Sequence, residues 1–65
     1  MDPYMMIPPD PYLDQIKDVL RFQGFHVDKI NYWIAADESV LWHEFIEGVT
    51  PAEAARKLVL RKQRG

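Results

Sequence analysis

Apolar residues recur at helical spacing in successive stretches of this 65-residue chain, and turn residues separate the stretches. Asp10 suits the N-cap of a first helix, and Pro11 suits its first position, where the missing N–H has no partner within the helix. Gly24 suits the left-handed position that ends such a helix. The opposite face is charged, and the apolar stripe consists of Leu13, Ile16, Val19 and Leu20.

The middle of the chain permits either one helix over residues 28–47 or two shorter ones. Asp28 can cap a helix there, with Val27 as the apolar staple residue that packs on Tyr32. Asp37 interrupts the apolar stripe and can itself cap a following helix, so we favour a break near Asp37. Gly48 ends that following helix. The apolar faces on the two sides of the break are Ile30, Trp33 and Ile34, then Val40, Leu41, Phe45 and Ile46.

The last helix has the strongest start signal. Thr50 and Glu53 form a capping box around Pro51, in which each side chain reaches the other residue's backbone N–H. The helix is predicted to run to about Lys62, because basic side chains near its end interact favourably with the helix dipole. Its predicted buried stripe is Ala52, Ala55, Leu58 and Val59.

The N-terminal segment is rich in proline, which fixes φ and removes backbone donors, so an extended arm is expected. Three alternatives are open: the arm covers the core, it binds a partner (including exchange with a second copy), or it is disordered. Its apolar patch is Tyr4, Met5, Met6 and Ile7. We therefore predict an all-α fold of three or four short helices in a small bundle, with the arm at 1–10, the helical domain at 11–62 and a basic end at 63–65.

Size and composition limit how such a fold is stabilised. A domain this small buries only about 60% of the surface that its unfolded chain exposes, so it usually needs additional stabilisation from disulfides, a metal or oligomerisation. The chain has no cysteine, which excludes disulfides and thiolate zinc sites. Contact with a second copy or with another protein remains as the source of additional stability, and we predict a homodimer. Without an apolar run of membrane-spanning length or a signal-peptide pattern, we predict a cytoplasmic protein with no membrane partner.

Charge is distributed unevenly along the chain. Residues 1–55 hold ten acidic and three basic residues, a net charge of −7, whereas the last ten residues hold no acidic residue. This asymmetry leaves nucleic-acid binding open as an alternative function. The basic residues that would contact phosphates are Arg56, Lys57, Arg61, Lys62 and Arg64.

Residues for catalysis or for a metal site are scarce. His43 and Glu47 stand one helical turn apart, but the zinc-hydrolase pattern needs two histidines there with a glutamate between them. Ser39 is the single serine. His26 and His43 could each pair with a nearby carboxylate, but their positions in the sequence predict no cleft. We predict a protein that is not an enzyme, without cofactor, metal or small-molecule substrate.

Residues 41–60 resemble the first two helices of tri-helical helix-turn-helix domains. The resemblance lies in Leu41 and Phe45, followed by the run Gly48-Val49-Thr50-Pro51-x-Glu53-Ala54-Ala55-x-x-Leu58. It implies DNA binding through a recognition helix, which in that family follows these two helices. Here the chain ends at Gly65. If residues 50–62 were the reader, Pro51 to Ala54 would be poor contacts for bases.

The aromatic residues carry our functional prediction. Successive residues on a helix point in different directions, so one of Tyr32 and Trp33 can be in the core while the other is exposed. Trp and Tyr are frequent anchors of protein interfaces. We predict a non-enzymatic interaction protein that regulates or adapts another macromolecule by surface contact, through Tyr4, Met5, Met6, Ile7, Tyr32, Trp33 and Trp42. A third possibility is an acidic decoy that uses Asp14, Asp18, Glu44 and Glu47.

Overall fold

The computed structural model describes residues 7–64, and it shows four α-helices and no β-strand in that part of the chain. The all-α prediction is confirmed. The helices are α1 Asp10–Phe22, α2 Val27–Ala36, α3 Glu38–Ile46 and α4 Pro51–Arg64. No helix among these combines the length and the hydrophobicity needed to cross a lipid bilayer.

The start of α1 differs from the prediction by one residue. Pro9 is the N-cap, and its carbonyl accepts from the N–H groups of Tyr12 and Leu13 at 3.0 and 3.2 Å. Asp10 is the first helical residue, and its side chain makes no capping hydrogen bond, so the predicted Asp10 cap was wrong. The physical reason is that the Pro9 ring already holds the extended cap conformation, with φ −63° and ψ 153°.

Both predicted glycine stops are confirmed. Gly24 and Gly48 have φ values of 99° and 85°, a left-handed conformation that side chains with a Cβ disfavour. After each glycine the next N–H donates back into the helix, from Phe25 to the Leu20 carbonyl and from Val49 to the Glu44 carbonyl. These are Schellman motifs, which satisfy carbonyls that the helix end would leave unpaired.

The start of α2 is capped by a residue that we did not predict. His26 is the N-cap, and its Nδ1 accepts from the Asp28 N–H at 3.1 Å, so Asp28 is not the cap. The staple predicted between Val27 and Tyr32 was also wrong, since both side chains are exposed. With the cap at His26, the residues at the two staple positions are Phe25 and Ile30, which both belong to the core.

The predicted break between α2 and α3 is confirmed at a single residue, Asp37, with φ −111° and ψ 23°. A single helix through residues 28–47 is therefore excluded. The predicted capping role of the Asp37 side chain was wrong, because it makes no hydrogen bond to the start of α3. Its carboxylate binds α4 instead, as described below.

Half of the predicted capping box is present at the start of α4. Thr50 Oγ1 accepts from the Glu53 N–H at 3.2 Å, whereas the Glu53 carboxylate binds Arg56. The helix continues two residues beyond Lys62, to Arg64. The predicted burial of Ala52 was wrong: it is exposed, and Ala54 takes its place, because residues 54, 55, 58 and 59 form the face that packs on α1.

The core lies mainly between α1 and α4, with α2 and α3 closing it. Tyr12 connects the first turn of α1 to the end of α3. Its hydroxyl donates to the Val49 carbonyl at 2.7 Å, and its ring packs edge-on against that of Phe45 at a centroid distance of 5.1 Å. Pro8 is also buried, so this part of the proline-rich segment packs on the helices. The buried apolar residues are Tyr12, Ile16, Leu20, Ile30, Ile34, Leu41, Ala54, Ala55, Leu58 and Val59.

Candidate functional site

The two predicted contact residues on α2, Tyr32 and Trp33, point in different directions, as expected. The Tyr32 side chain is 72% exposed, on the side of α2 away from the core. Trp33 is half-buried, with its ring 5.1 Å from that of Phe25 and the Lys29 Nζ 5.7 Å from its centroid. Of these two side chains, Tyr32 is therefore the more accessible to a partner.

Trp42 and the predicted arm residues lie elsewhere. Trp42 is half-buried against Phe45, at a centroid distance of 5.8 Å, so it belongs to a different aromatic group from Trp33. Ile7 is 43% exposed. Tyr4, Met5 and Met6 lie outside the described residues, and their predicted role stays a prediction.

The sequence did not single out Phe22, although it is 94% exposed at the end of α1. A signal was present, because Phe22 lies four residues after Asp18 and thus next to the charged face of the helix, away from the apolar stripe. Smaller apolar side chains are exposed on α2, α3 and α4. They are Val27, Val40, Ile46 and Leu60.

A groove of about 400 Å³ runs between α1 and α2. Its α1 wall is formed by four charged residues, and none of them makes an ion pair with another residue of the described chain. The lining comprises Asp14, Lys17, Asp18 and Arg21 from α1, with Val27, Ile30 and Asn31 from α2. The groove thus carries balanced charge, and Val27 supplies its exposed apolar surface, since Ile30 is fully buried.

An ionic cluster joins the α2–α3 junction to α4. The Asp37 carboxylate accepts from Arg61 Nε at 3.0 Å and from Lys62 Nζ at 2.9 Å. Arg61 also donates to the buried Glu44 at 3.5 Å, so Glu44 is not part of an acidic surface of the kind that a decoy needs. Glu44 Oε1 and Arg61 Nη2 are buried without a hydrogen-bond partner among the described residues, which limits what the cluster contributes to stability.

Ionisation of Asp37 is coupled to this cluster. Burial of the carboxyl opposes ionisation, but the hydrogen bonds and charges of Lys62 and Arg61 outweigh burial and hold the pKa of Asp37 below its ordinary value. Ionised Asp37 therefore stabilises the fold wherever the pH exceeds the unfolded pKa of about 4, and this stabilisation is lost as the pH falls through the lower folded pKa.

We expect the free energy of unfolding to reveal this coupling when urea denaturation is measured between neutral pH and about pH 2.5. The wild-type protein should lose more stability below about pH 4 than Asp37→Asn, which has no carboxyl to protonate at this position. Parallel pH profiles for the two proteins would show that Asp37 carries no such coupling.

Three of the five basic residues predicted to contact phosphates form ion pairs within the chain. Arg61 and Lys62 bind Asp37, and Arg56 binds Glu53 on its own helix. In the described chain, Lys57 and Arg64 are the two members of the predicted basic set that make no ion pair. The surface positive charge available to phosphates is therefore smaller than the sequence indicated.

The histidines occupy separate places in the fold. His26 caps α2, and His43 is exposed on α3. Within residues 7–64, no three His, Asp or Glu side chains lie close enough together to hold a metal ion. Ser39 is exposed in the first turn of α3.

No protein-family model matches this sequence, and comparison with curated proteins and with solved structures returned no significant match.

Proposed function

We propose that this chain is a cytoplasmic, non-enzymatic interaction domain that acts as a homodimer and regulates or adapts another macromolecule by surface contact. The observation that carries the proposal is the exposure of two large aromatic side chains, Phe22 at 94% and Tyr32 at 72%. Burying one such side chain in an interface is worth about 1.5–3 kcal/mol. Neither side chain is needed for the core, so their exposure is better explained by contact with a partner.

The two aromatic residues lie on different helices, which supports two separate contacts. Phe22 is exposed at the end of α1, where a second copy could bind. Tyr32 projects from the opposite side of α2 from the core, where a different macromolecule could bind. Tyrosine suits such a contact because its ring supplies apolar area and its hydroxyl supplies a hydrogen bond.

Replacing Tyr32 with serine should weaken binding of the macromolecular partner about five-fold or more, since the loss of an interface anchor costs more than about 1 kcal/mol. The stability of the domain should not change, because the side chain is exposed. The measurement is cross-linking in the cells that express the protein, compared among the wild type, Tyr32→Ser and the control Gln63→Ser. Thermal unfolding of each purified protein is recorded alongside.

The expected result is a cross-linked complex that is lost in Tyr32→Ser and retained in Gln63→Ser, with equal unfolding temperatures. Gln63 is a suitable control because it is an exposed residue on α4, a helix that carries neither Phe22 nor Tyr32. Identical cross-linked species in all three proteins would contradict a role for Tyr32. A lower unfolding temperature for Tyr32→Ser alone would assign the residue to stability.

Nucleic-acid binding through α4 is our second proposal. It is favoured by the exposed side chains of Lys57 and Arg64, and by the resemblance of residues 41–60 to helix-turn-helix domains. Opposing it are the ion pairs of the other three basic residues, and the net acidity of the preceding chain, which repels phosphate. A steep loss of affinity with rising salt would distinguish it from an aromatic-anchored protein interface.

A further inference from the structure

The outward side of α4 carries an apolar residue between two cations. Lys57, Leu60 and Arg64 recur at the i, i+3, i+7 spacing that places side chains on one face of a helix. At about 100° per residue, Leu60 lies roughly 170° around the helix from the middle of the face that packs on α1. Leu60 therefore points away from the core, and it is 45% exposed. We call these three residues the outward face of α4.

Both cations of the outward face are accessible. Lys57 and Arg64 are exposed, and neither makes an ion pair within residues 7–64. Glu53 is the last acidic residue of α4, and its carboxylate binds Arg56. The positive charge of the outward face is therefore left for a partner to neutralise, beside an apolar side chain that lies outside the core.

We propose that the outward face of α4 binds an acidic helical segment of another protein. The segment presents an apolar residue between two carboxylates, so that the apolar residue covers Leu60 while the carboxylates pair with Lys57 and Arg64. Such an arrangement matches both the charge and the apolar surface of this face. The inference rests on the proposed interaction domain, and it gives the chemistry of a partner at a surface separate from Tyr32.

The spacing of the two cations sets the spacing of the carboxylates. Seven residues of α-helix rise about 10.5 Å and return to nearly the same line along the helix. A partner helix matches when its carboxylates are also seven residues apart and its apolar residue follows the first by three or four. An extended strand fits less well, because about 10 Å corresponds to three residues, and side chains three residues apart point to opposite faces of a strand.

A second copy of this chain does not supply such a segment. Asp37 and Glu44 are the two acidic residues of the sequence that stand seven positions apart, and Arg61 binds both of them within the fold. On α1, Lys17 stands between Asp14 and Asp18 and would repel the cations of α4. The outward face of α4 is therefore a surface for a different protein, and the proposed homodimer uses another surface.

Nucleic acid, our second proposal for α4, fits this face less well than an acidic protein segment. Leu60 lies between the two cations, where a phosphate backbone offers no apolar group to cover it. The chain has a net charge of −2, and residues 1–55 have a net charge of −7. This charge repels a duplex more strongly than it repels a segment with two carboxylates.

The contact is small, so its affinity is expected to be low. Ion pairs near solvent contribute little, and one leucine supplies the apolar area. We expect a dissociation constant of about 1 mM or somewhat below for a short peptide at low salt. Binding should weaken as the salt concentration rises, because both cations are exposed.

NMR titration with a defined probe tests the proposal. The probe is a capped, alanine-rich helical peptide with two glutamates seven residues apart and a leucine three residues after the first. Saturable shifts of backbone amides around Leu60 are expected. Lys57→Gln and Arg64→Gln should each weaken binding about three-fold, whereas Arg21→Gln removes the same charge from the exposed side of α1 and should leave it unchanged.

Two further variants separate the apolar contact from the charges. Leu60→Ala keeps every charge and should weaken binding about three-fold, because it removes apolar area that the probe's leucine covers. K57E/R64E should lose the probe and bind the same peptide with lysines in place of its glutamates. Circular dichroism of each variant checks that α4 remains helical.

The possible outcomes decide between the occupants of this face. Reduced binding in Leu60→Ala and in both glutamine variants, with none in Arg21→Gln, supports the site. No saturable shift on α4 at millimolar probe, or equal weakening by Arg21→Gln, would overturn it. A generic DNA duplex that shifts the same amides, with Leu60→Ala indifferent, would assign the face to nucleic acid instead.

Failure of this site and failure of the proposed function are distinguishable. Tyr32 lies on α2, so Tyr32→Ser should bind the peptide probe as the wild type does. If the probe does not bind α4, cross-linking still decides the Tyr32 contact. If cross-linking shows no role for Tyr32 while the probe binds, the outward face of α4 stands as a contact surface by itself.

Discussion

Replacing Leu58 with alanine is expected to lower the free energy of unfolding by about 2–5 kcal/mol, the range for large-to-small substitutions in a packed core. Leu58 is completely buried on the face of α4 that packs on α1. A domain of 65 residues has a total stability of about 3–10 kcal/mol, so the variant should be largely unfolded or close to it.

Leu60→Ala is the matched control, since it makes the same substitution two residues further along α4. Leu60 is 45% exposed and lies outside the core, so its replacement should cost less than about 1 kcal/mol. Urea denaturation followed by circular dichroism measures both variants. Equal losses of stability would show that the face of α4 containing Leu58 is not the buried one.

Asp37→Asn is expected to produce the second-largest effect, a loss of about 1–3 kcal/mol. It removes the carboxylate charge that both Arg61 and Lys62 bind, and it leaves the partly buried Lys62 without its partner and Arg61 with only Glu44, at 3.5 Å. The effect should be smaller than for a fully buried pair, because the Arg61 and Lys62 side chains remain 34% and 25% exposed.

Asp28→Asn serves as the control for Asp37→Asn. The Asp28 side chain is 90% exposed and lies 3.8 Å from His26 Nδ1, a contact that should contribute little. Chemical denaturation at neutral pH and low salt compares the two variants with the wild type. An equal, small change in both would show that the Asp37 cluster contributes nothing to holding α4 against the α2–α3 junction.

Sequence reasoning predicted those features of the fold that depend on neighbouring residues. Gly24 and Gly48 end helices because the left-handed conformation favours glycine wherever it occurs. Thr50 caps α4 through an N–H three residues away. The break at Asp37 was predictable because an acidic residue interrupts an apolar stripe.

The partners of Asp37 could not be predicted in the same way. Its carboxylate binds Arg61 and Lys62, which are 24 and 25 residues distant in the chain, and only the packing of α4 brings them together. The same packing buries Glu44, which the sequence had placed on an acidic surface. The cap at His26 was missed because Asp and Ser are commoner caps than His.

The candidate surface was predictable only in part. The divergence of Tyr32 and Trp33 follows from the 100° rotation between successive helical residues. The exposure of Phe22 follows from its position four residues after Asp18, beside the charged face of α1, a signal that we did not use.

Sedimentation equilibrium of the purified protein, alone and with a generic DNA duplex at low and moderate salt, tests the central claim most directly. We expect a concentration-dependent dimer whose mass is unchanged by the duplex. The account would be contradicted by a protein that is monomeric alone and that binds the duplex in a complex which dissociates as the salt concentration rises. It would also direct attention to Lys57 and Arg64 on the exposed side of α4.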